Sequence, residues 1–296
     1  MKAYSNLSIF EKVQVIFNII LKRNKIICHD FHRKAVSKRV NLNYWQIDSI
    51  NNKDNLGDYL SLVVYQNMLK KYKINENEML TQTKHLYAIG SILMTGFQDC
   101  TVWGTGILHE FKNSFSERIT LLYNKYFRKM DIRCVRGPKT REFLLKIGID
   151  CPEKYGDPAV LMPLFYQPEM IKKSEEYIVI KHYTSFDKNN SNELNMLTKD
   201  YKNIIDKIYS SKVVISGSLH GIIIAEAYGV PAILLKDRKE FDLFKYEDYY
   251  FSTGRYEFPV VESVEEALNT KPVDLPDLSG MQEMLVDCFP IDLWNE

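Results

Sequence analysis

The stretch VVISGSLHGIIIAEAYGVPAILL, Val213 to Leu235, decides the fold. Its β-branched apolar start, Val213-Val214-Ile215, predicts a short buried strand, and Ser216-Gly217-Ser218 a polar turn. Apolar periodicity then predicts a helix from about His220 to Tyr228. Gly229 ends it, because the left-handed geometry of a helix stop is cheap only without a Cβ, and Pro231 bars its return. Ala232 to Leu235 reads as a second buried strand. Strand, turn, helix and strand in this order form the repeat of a parallel α/β sheet. The turn falls at a strand's carboxyl end and a helix N-terminus, where free N–H groups and the helix dipole favour an anion. Many such loops merely connect. Here two hydroxyls and an imidazole, Ser216, Ser218 and His220, are added at one spot, which makes the turn a candidate site.

The same rhythm runs outward in both directions. Tyr177 to Ile180 reads as a strand and Asp200 to Ser210 as a helix. Earlier, Val40 to Trp45 alternates as a strand, Asn51 to Asp58 is a polar loop, and a helix runs from about Tyr59 to Lys71. Leu86 to Ile89 and Thr101 to Trp103 are short strands, Val135-Arg136 ends another, and Lys139 to Ile147 is a helix stopped by Gly148. Ala159 to Met162 closes this half, and Pro163 and Pro168 bracket a linker. Strands alternating with helices across two halves predict an α/β protein with two Rossmann-like, doubly wound domains facing a cleft, residues 1–165 and 166–296. A last helix near Met281 to Cys288 could cross back onto the first domain.

The 296 residues suit two domains, and 45% hydrophobic with 26% charged residues is the balance of a soluble globular enzyme. A net charge of +1 implies no bulk polyanion as partner, so no nucleic-acid partner is expected. The 19 tyrosines would suit sugar faces, but an AT-rich genome also enriches Tyr together with Asn, Ile and Lys. The five cysteines are scattered, without a C-x-x-C pair, as in a reducing compartment. Cys28, His29 and His32 cluster, yet nothing elsewhere completes a metal site. No segment reaches transmembrane length, and Glu11, Lys12 and Gln14 interrupt the N-terminal apolar stretch, which has no signal-peptide cleavage site. A cytoplasmic protein is expected. Leu7, Phe10, Val13 and Phe17 share one helix face, followed by Lys22, Arg23 and Lys25. That helix could pack on its own domain or lie peripherally on the inner face of a membrane.

No phosphate-binding P-loop and no G-x-G-x-x-G occurs, and the D-x-D metal motif of many sugar-nucleotide transferases is missing, so metal-independent chemistry is expected. His220 is the leading catalytic candidate: at a helix N-terminus its neutral form is favoured and can exchange a proton with a hydroxyl. Its other reading is a histidine that caps the turn. Arg136, at a strand end, could hold phosphate or carboxylate bidentately, or form a salt bridge. Asp58, in Asn55-Leu56-Gly57-Asp58, could complement a helix dipole or act on an acceptor hydroxyl. His182 follows the first strand of the second half and would face the same cleft. Asp157-Pro158 reads as a turn that orders the linker, without a catalytic role.

Four stretches, in order, carry a family resemblance: Asn55-Leu56-Gly57-Asp58, Arg136-Gly137-Pro138-Lys139-Thr140-Arg141, Tyr155-Gly156-Asp157-Pro158-Ala159 and Ser216 to Leu235. Ile180-Lys181-His182-Tyr183 lies between the last two. With Val102 to Ile107, they make residues 40 to 255 resemble the polysaccharide pyruvyl transferase family, in particular the branch that attaches pyruvate ketals to bacterial exopolysaccharides. The resemblance implies a fold similar to GT-B glycosyltransferases and no cofactor. It also implies phosphoenolpyruvate as donor and a glycan or lipid-linked oligosaccharide as acceptor. In that reading His220, Asp58 and His182 move protons. Arg136, Ser216, Ser218, Gly221 and Lys181 hold the donor, and Asn55, Gly57 and Asp58 hold the acceptor. Where many members have Arg before Leu-His-Gly, this chain has Ser218, and Lys181, Lys236 and Arg238 are candidates for the missing charge. The alternatives are a metal-independent glycosyltransferase using a nucleotide sugar and a non-catalytic scaffold of a glycan assembly complex.

Overall fold

The computed structural model describes residues 39–45, 54–96, 98–111, 114–169, 174–182, 192–239 and 241–295. The expected N-terminal helix, the Cys28-His29-His32 group, Tyr183 and the start of the Asn51–Asp58 loop lie outside them.

The first sheet contains β1 (Val40–Asn43), β2 (Lys84–Tyr87), β3 (Cys100–Trp103) and β4 (Met130–Cys134). Helices α1 (Leu56–Tyr72) and α2 (Phe115–Tyr126) connect these strands, and α3 (Pro138–Lys146) follows. The second sheet contains β5 (Ile178–Ile180), β6 (Val214–Ser216), β7 (Ala232–Leu235) and β8 (Val260–Val261), with α4 (Tyr201–Ser210), α5 (Leu219–Ala227) and α6 (Phe244–Ser252) in its connections. All pairings are parallel. Strands β3, β5, β6 and β7 are buried along their whole length, as expected for parallel strands covered on both faces.

The strands run in chain order in both sheets, β1-β2-β3-β4 and β5-β6-β7-β8. Each connection steps one strand further in the same direction. Among the described strands, then, neither sheet shows the reversal that doubly wound order implies. Periodicity marks strands and helices but says nothing about the direction of winding.

Helix α5 is apolar on nearly all sides because it is buried on nearly all sides. One apolar core runs through both halves. Its centre is a 3-10 segment, Pro158–Leu164, in which Ala159, Val160, Leu161 and Met162 are fully buried against α1 and α5. After α7 (Val264–Leu268), the chain enters α8 (Ser279–Asp287) and lies along elements of the first sheet. Trp103 Nε1 donates to the Leu285 carbonyl (2.9 Å), Gln282 to that of Val160 (2.8 Å) and Tyr72 OH to that of Val286 (3.0 Å).

Sequence and structure differ at the start of α1, and at α2, α6, α7 and β8, for which the sequence reading gives no element, although α2 carries a Ser114–Glu117 capping box. Helix α1 starts at Leu56, capped by Asn55, so Asp58 belongs to its first turn rather than to a loop. Helix α6 was not expected. Its segment FKYEDYYFS is weakly amphipathic and its N-cap residue is Leu243, with Asp242 Oδ1 instead accepting from Phe244 N–H (2.8 Å), so its period does not signal it.

Candidate active site

A cavity of about 350 Å³ opens between the carboxyl ends of the two sheets, where open parallel sheets bind ligands. Gly90, Ser91 and Ile92 enter it after β2, and Asn55 and Asp58 from the start of α1. His182 enters after β5, Ser218 and His220 at the start of α5, and Lys245 from α6. A larger groove of about 480 Å³, lined by Lys84, His85, Asp99 and Lys129 among others, lies at the amino ends of β2 to β4 and holds no motif residue. We place the site in the smaller cavity, because the helix N-termini and the motif side chains converge there.

The two helix starts differ. At α1, Leu56 N–H donates to the Met196 carbonyl (2.7 Å) and Gly57 N–H to Asn55 Oδ1 (2.9 Å). At α5, Ser218 makes no side-chain cap, and its N–H is taken by Ser216 Oγ (3.0 Å). The uncapped end faces the cavity and retains the anion-attracting character of a helix N-terminus. The two starts touch at Gly57, where a Cβ would overlap the His220 ring. The glycine of Asn-Leu-Gly-Asp therefore allows α1 to approach the histidine of Ser-Leu-His-Gly.

His220 is almost enclosed, at 12% side-chain exposure, and its Nε2 lies 3.7 Å from Asp157 Oδ2. Neither atom has a hydrogen-bond partner among the described residues. Asp157 is fully buried, and its other oxygen caps the 3-10 segment through Ala159 N–H (3.0 Å). A buried carboxylate behind an imidazole is the arrangement that orients a histidine base and stabilises its protonated form. Asp157, read from the sequence as a turn residue only, thus stands behind the leading catalytic candidate.

Burial raises the Asp58 carboxyl to about 6, against the pull of His220 and Lys245 and with help from the negative charges of Asp157 and Asp54. Burial also lowers His182 to about 4, reinforced by Arg238 and Lys245, so its ring is neutral at pH 7. Its main-chain N–H donates to Asp237. Lys245 is lowered to about 8 by burial and by the positive fields of Arg238 and Arg136, while Asp58 and Asp237 oppose the shift.

The structure thus gathers His220, Asp58, His182, Ser218 and Asn55 around one cavity, with Gly57 in its wall. It places four expected donor-binding residues elsewhere. Arg136 is fully buried: it donates to Asp248 Oδ2 (3.0 Å), Ser91 Oγ (2.8 Å) and the Ile107 carbonyl (2.7 Å). Its fork is spent on tying α6 to the first half, and it reaches the cavity only through the Ser91 hydroxyl. Ser216 is buried, bonded within the turn and to the Ile180 carbonyl (3.2 Å). Gly221 packs α5 on β5 and β6, where a Cβ would overlap Ser216 Oγ. Lys181 pairs with buried Glu193 (2.8 Å). Of the other proposed cations, Lys236 pairs with Glu262 at the surface (2.8 Å) and Arg238 with Asp237 (3.3 Å). Lys245 sits in no motif, and no sequence signal pointed to it.

Among the described residues, no three His, Cys, Asp or Glu side chains come together to hold a metal ion, and no helix is long and apolar enough to cross a membrane.

Two parallel four-stranded sheets interleaved with helices, with a polar cavity at their carboxyl ends, define an α/β protein of Rossmann-like halves. Residues 55–237 match the family model for polysaccharide pyruvyl transferase, and the chain belongs to that family. An uncharacterized protein of Acanthamoeba polyphaga mimivirus is 29% identical over 171 residues, 52% of this chain and 54% of its own. The succinoglycan biosynthesis protein ExoV of Rhizobium meliloti (strain 1021) is 27% identical over 135 residues, 43% of this chain and 42% of its own. The alignments thus span about half the length of these relatives. A crystal structure of a functionally uncharacterized Klebsiella pneumoniae protein superposes at a TM-score of 0.46 and 14% identity, covering 80% of this chain and 93% of that one.

Proposed function

We propose that this protein is a ketal pyruvyl transferase that moves pyruvate from phosphoenolpyruvate onto two hydroxyls of one sugar in a bacterial surface glycan or its lipid-linked precursor. The observation that carries the reading is the cavity itself. An uncapped helix N-terminus and a lysine face a carboxyl titrating near 6 and a histidine backed by a buried carboxylate. Family membership supplies the reaction class. The two-sheet architecture with its intervening cavity supports a GT-B-like arrangement, and the protein would work on the cytoplasmic face, where phosphoenolpyruvate is made.

The chemistry requires a proton on the methylene carbon of the donor and removal of two hydroxyl protons. Asp58, still partly protonated near neutrality, delivers its proton to the methylene, which becomes the methyl group. The first sugar hydroxyl attacks the neighbouring carbon and gives its proton to His220. Phosphate then leaves with the His220 proton as its carbon–oxygen bond breaks. The second hydroxyl closes the ketal and returns a proton to Asp58. Two carbon–oxygen bonds form, one breaks, and both residues end as they began. Neutral His182 orients a hydroxyl by hydrogen bonding, and Asn55 borders the acceptor side.

Phosphate release from phosphoenolpyruvate, measured with a panel of nitrophenyl and lipid-linked glycosides, tests the reading. The expected result is acceptor-dependent release and a pyruvylated product. Thermal stabilisation by a nucleoside diphosphate sugar but not by phosphoenolpyruvate would replace it with the glycosyltransferase alternative.

A further inference from the structure

The cations around the cavity are mostly paired, and Lys245 is the exception that points to a ligand. Arg136, Lys181 and Lys199 each meet a carboxylate at 3.2 Å or less. Lys245, only partly accessible, has neither an ion pair nor a hydrogen bond among the described residues. Its neighbour is the Tyr246 ring, 4.9 Å from Nζ. An ammonium held in a cavity without a counter-ion costs stability unless something else uses it. The same cavity contains the uncapped start of α5 with Ser218, an end that favours negative charge.

We propose that Lys245 holds the phosphate of the donor, supplying from α6 the cation that Ser218 does not supply from the turn, and carries the negative charge that builds on the phosphate as it leaves. The inference rests on the reading of the cavity as a pyruvyl-donor site, but it concerns the phosphate itself and is measurable without turnover. The charges of Asp58, Asp237, Arg238 and Arg136 all act on this ammonium, and His182 and His220 line the same cavity. Two cations oppose its charge and two carboxylates support it, so a bound dianion tips the balance towards the protonated form.

The test is calorimetric binding of inorganic phosphate, phosphoenolpyruvate and pyruvate to the wild-type chain, Lys245→Met and Lys245→Arg. Phosphate and phosphoenolpyruvate should bind the wild type, lose about tenfold or more in affinity in Lys245→Met, and stay within a few-fold in Lys245→Arg. Pyruvate binding should move little in either variant. In the wild type, phosphate affinity should fall above about pH 8 as Lys245 deprotonates, and that fall should vanish in Lys245→Arg. Near-UV circular dichroism checks that both variants are folded, and if Lys245→Met is not, Lys245→Gln takes its place in the comparison. Unchanged phosphate affinity on neutralising Lys245, or a wild type that takes up no phosphate, overturns the proposal. Weakened pyruvate with unchanged phosphate overturns it too and moves the lysine to the carboxylate. If phosphate binds through Lys245 while phosphoenolpyruvate does not bind, the donor assignment fails and the phosphate site stands.

Discussion

Two groups of charges lie side by side in this molecule and are built on opposite rules. In the Arg136 joint, guanidinium, carboxylate, hydroxyl and carbonyl meet with ordinary hydrogen-bond geometry, and the Arg136 and Asp248 side chains have no solvent exposure. Asp248 also accepts from Thr140 N–H (2.9 Å) and Thr140 Oγ1 (2.7 Å), so both of its oxygens are used. In the cavity, Asp58 is held far from its ordinary titration range, Lys245 meets no carboxylate among the described residues, and His220 Nε2 and Asp157 Oδ2 face each other beyond bonding distance. A satisfied buried network fixes one arrangement of two helices. An unsatisfied one keeps its donors, acceptors and protons available to a substrate. By that criterion Arg136 is paired as part of the frame, and His220 fits the proposed chemistry, although both stand in family motifs.

The contrast can be broken at four places. His220→Ala should cut turnover by about 10²–10⁴-fold while leaving the melting temperature close to wild type, because the ring borders a cavity rather than filling a core. Retained turnover would remove the imidazole from the mechanism. Arg136→Met should do the reverse. It strands the Asp248 carboxylate in the interior and should cost about 3–5 kcal/mol in chemical denaturation. In whatever folds, the KM for phosphoenolpyruvate should stay near wild type, and a raised KM with unchanged stability would return Arg136 to the donor.

Asp58→Asn should stabilise the ligand-free protein. The folded carboxyl titrates near 6 and the unfolded one near 3.8, so the contribution of this group to stability is most favourable below about pH 4 and is lost as pH rises through 6. The gain from Asn should therefore grow between about pH 4 and 6 and level off above, reaching up to about 3 kcal/mol, while turnover collapses. Melting curves at several pH values read this directly, and a pH-independent difference between the two proteins contradicts the assignment.

Asp157→Asn should have the smallest effect of the four: about a tenfold loss in kcat, with the KM for donor unchanged, because Asp157 acts through its charge on His220 and Asp58 while the amide oxygen can keep the cap on Ala159 N–H. The pH dependence of kcat should change with it. A variant that merely loosened the 3-10 segment would instead lower the melting temperature and leave the pH profile in place.

Much of the fold could be read from the chain. The run around His220 has its strand, turn, helix and stop within two residues of where they fall, because burial, period and the Gly229-Pro231 stop all agree there. The residues lining the candidate site were legible where they coincided with a helix start: Asn55, Asp58, Ser218 and His220 occupy positions that local chemistry marks. It was illegible where the signal had two readings. Asp157 precedes a proline and reads as a turn, which it is, yet its second oxygen faces His220 from within the joint between the halves. Lys245 lies in an aromatic helix with no period to announce it. Arg136 was read at the right strand end and assigned to the wrong partner, since nothing local reveals that Asp248, far along the chain, takes its guanidinium.

By itself, then, the sequence marked strands β1 to β7 and helices α1, α3, α4, α5 and α8, and indicated that the sheets are parallel and which turns present free amides, all of which depend on neighbours within a few residues. Only the tertiary structure decided which charges are neutralised and which remain open. Pairing Arg136 with Asp248, aiming Asp157 at His220 and leaving Lys245 without an ion pair among the described residues depend on how two sheets and a returning helix pack. Those contacts join residues tens to more than a hundred positions apart, and the energy of a buried charge is set by what surrounds it in space.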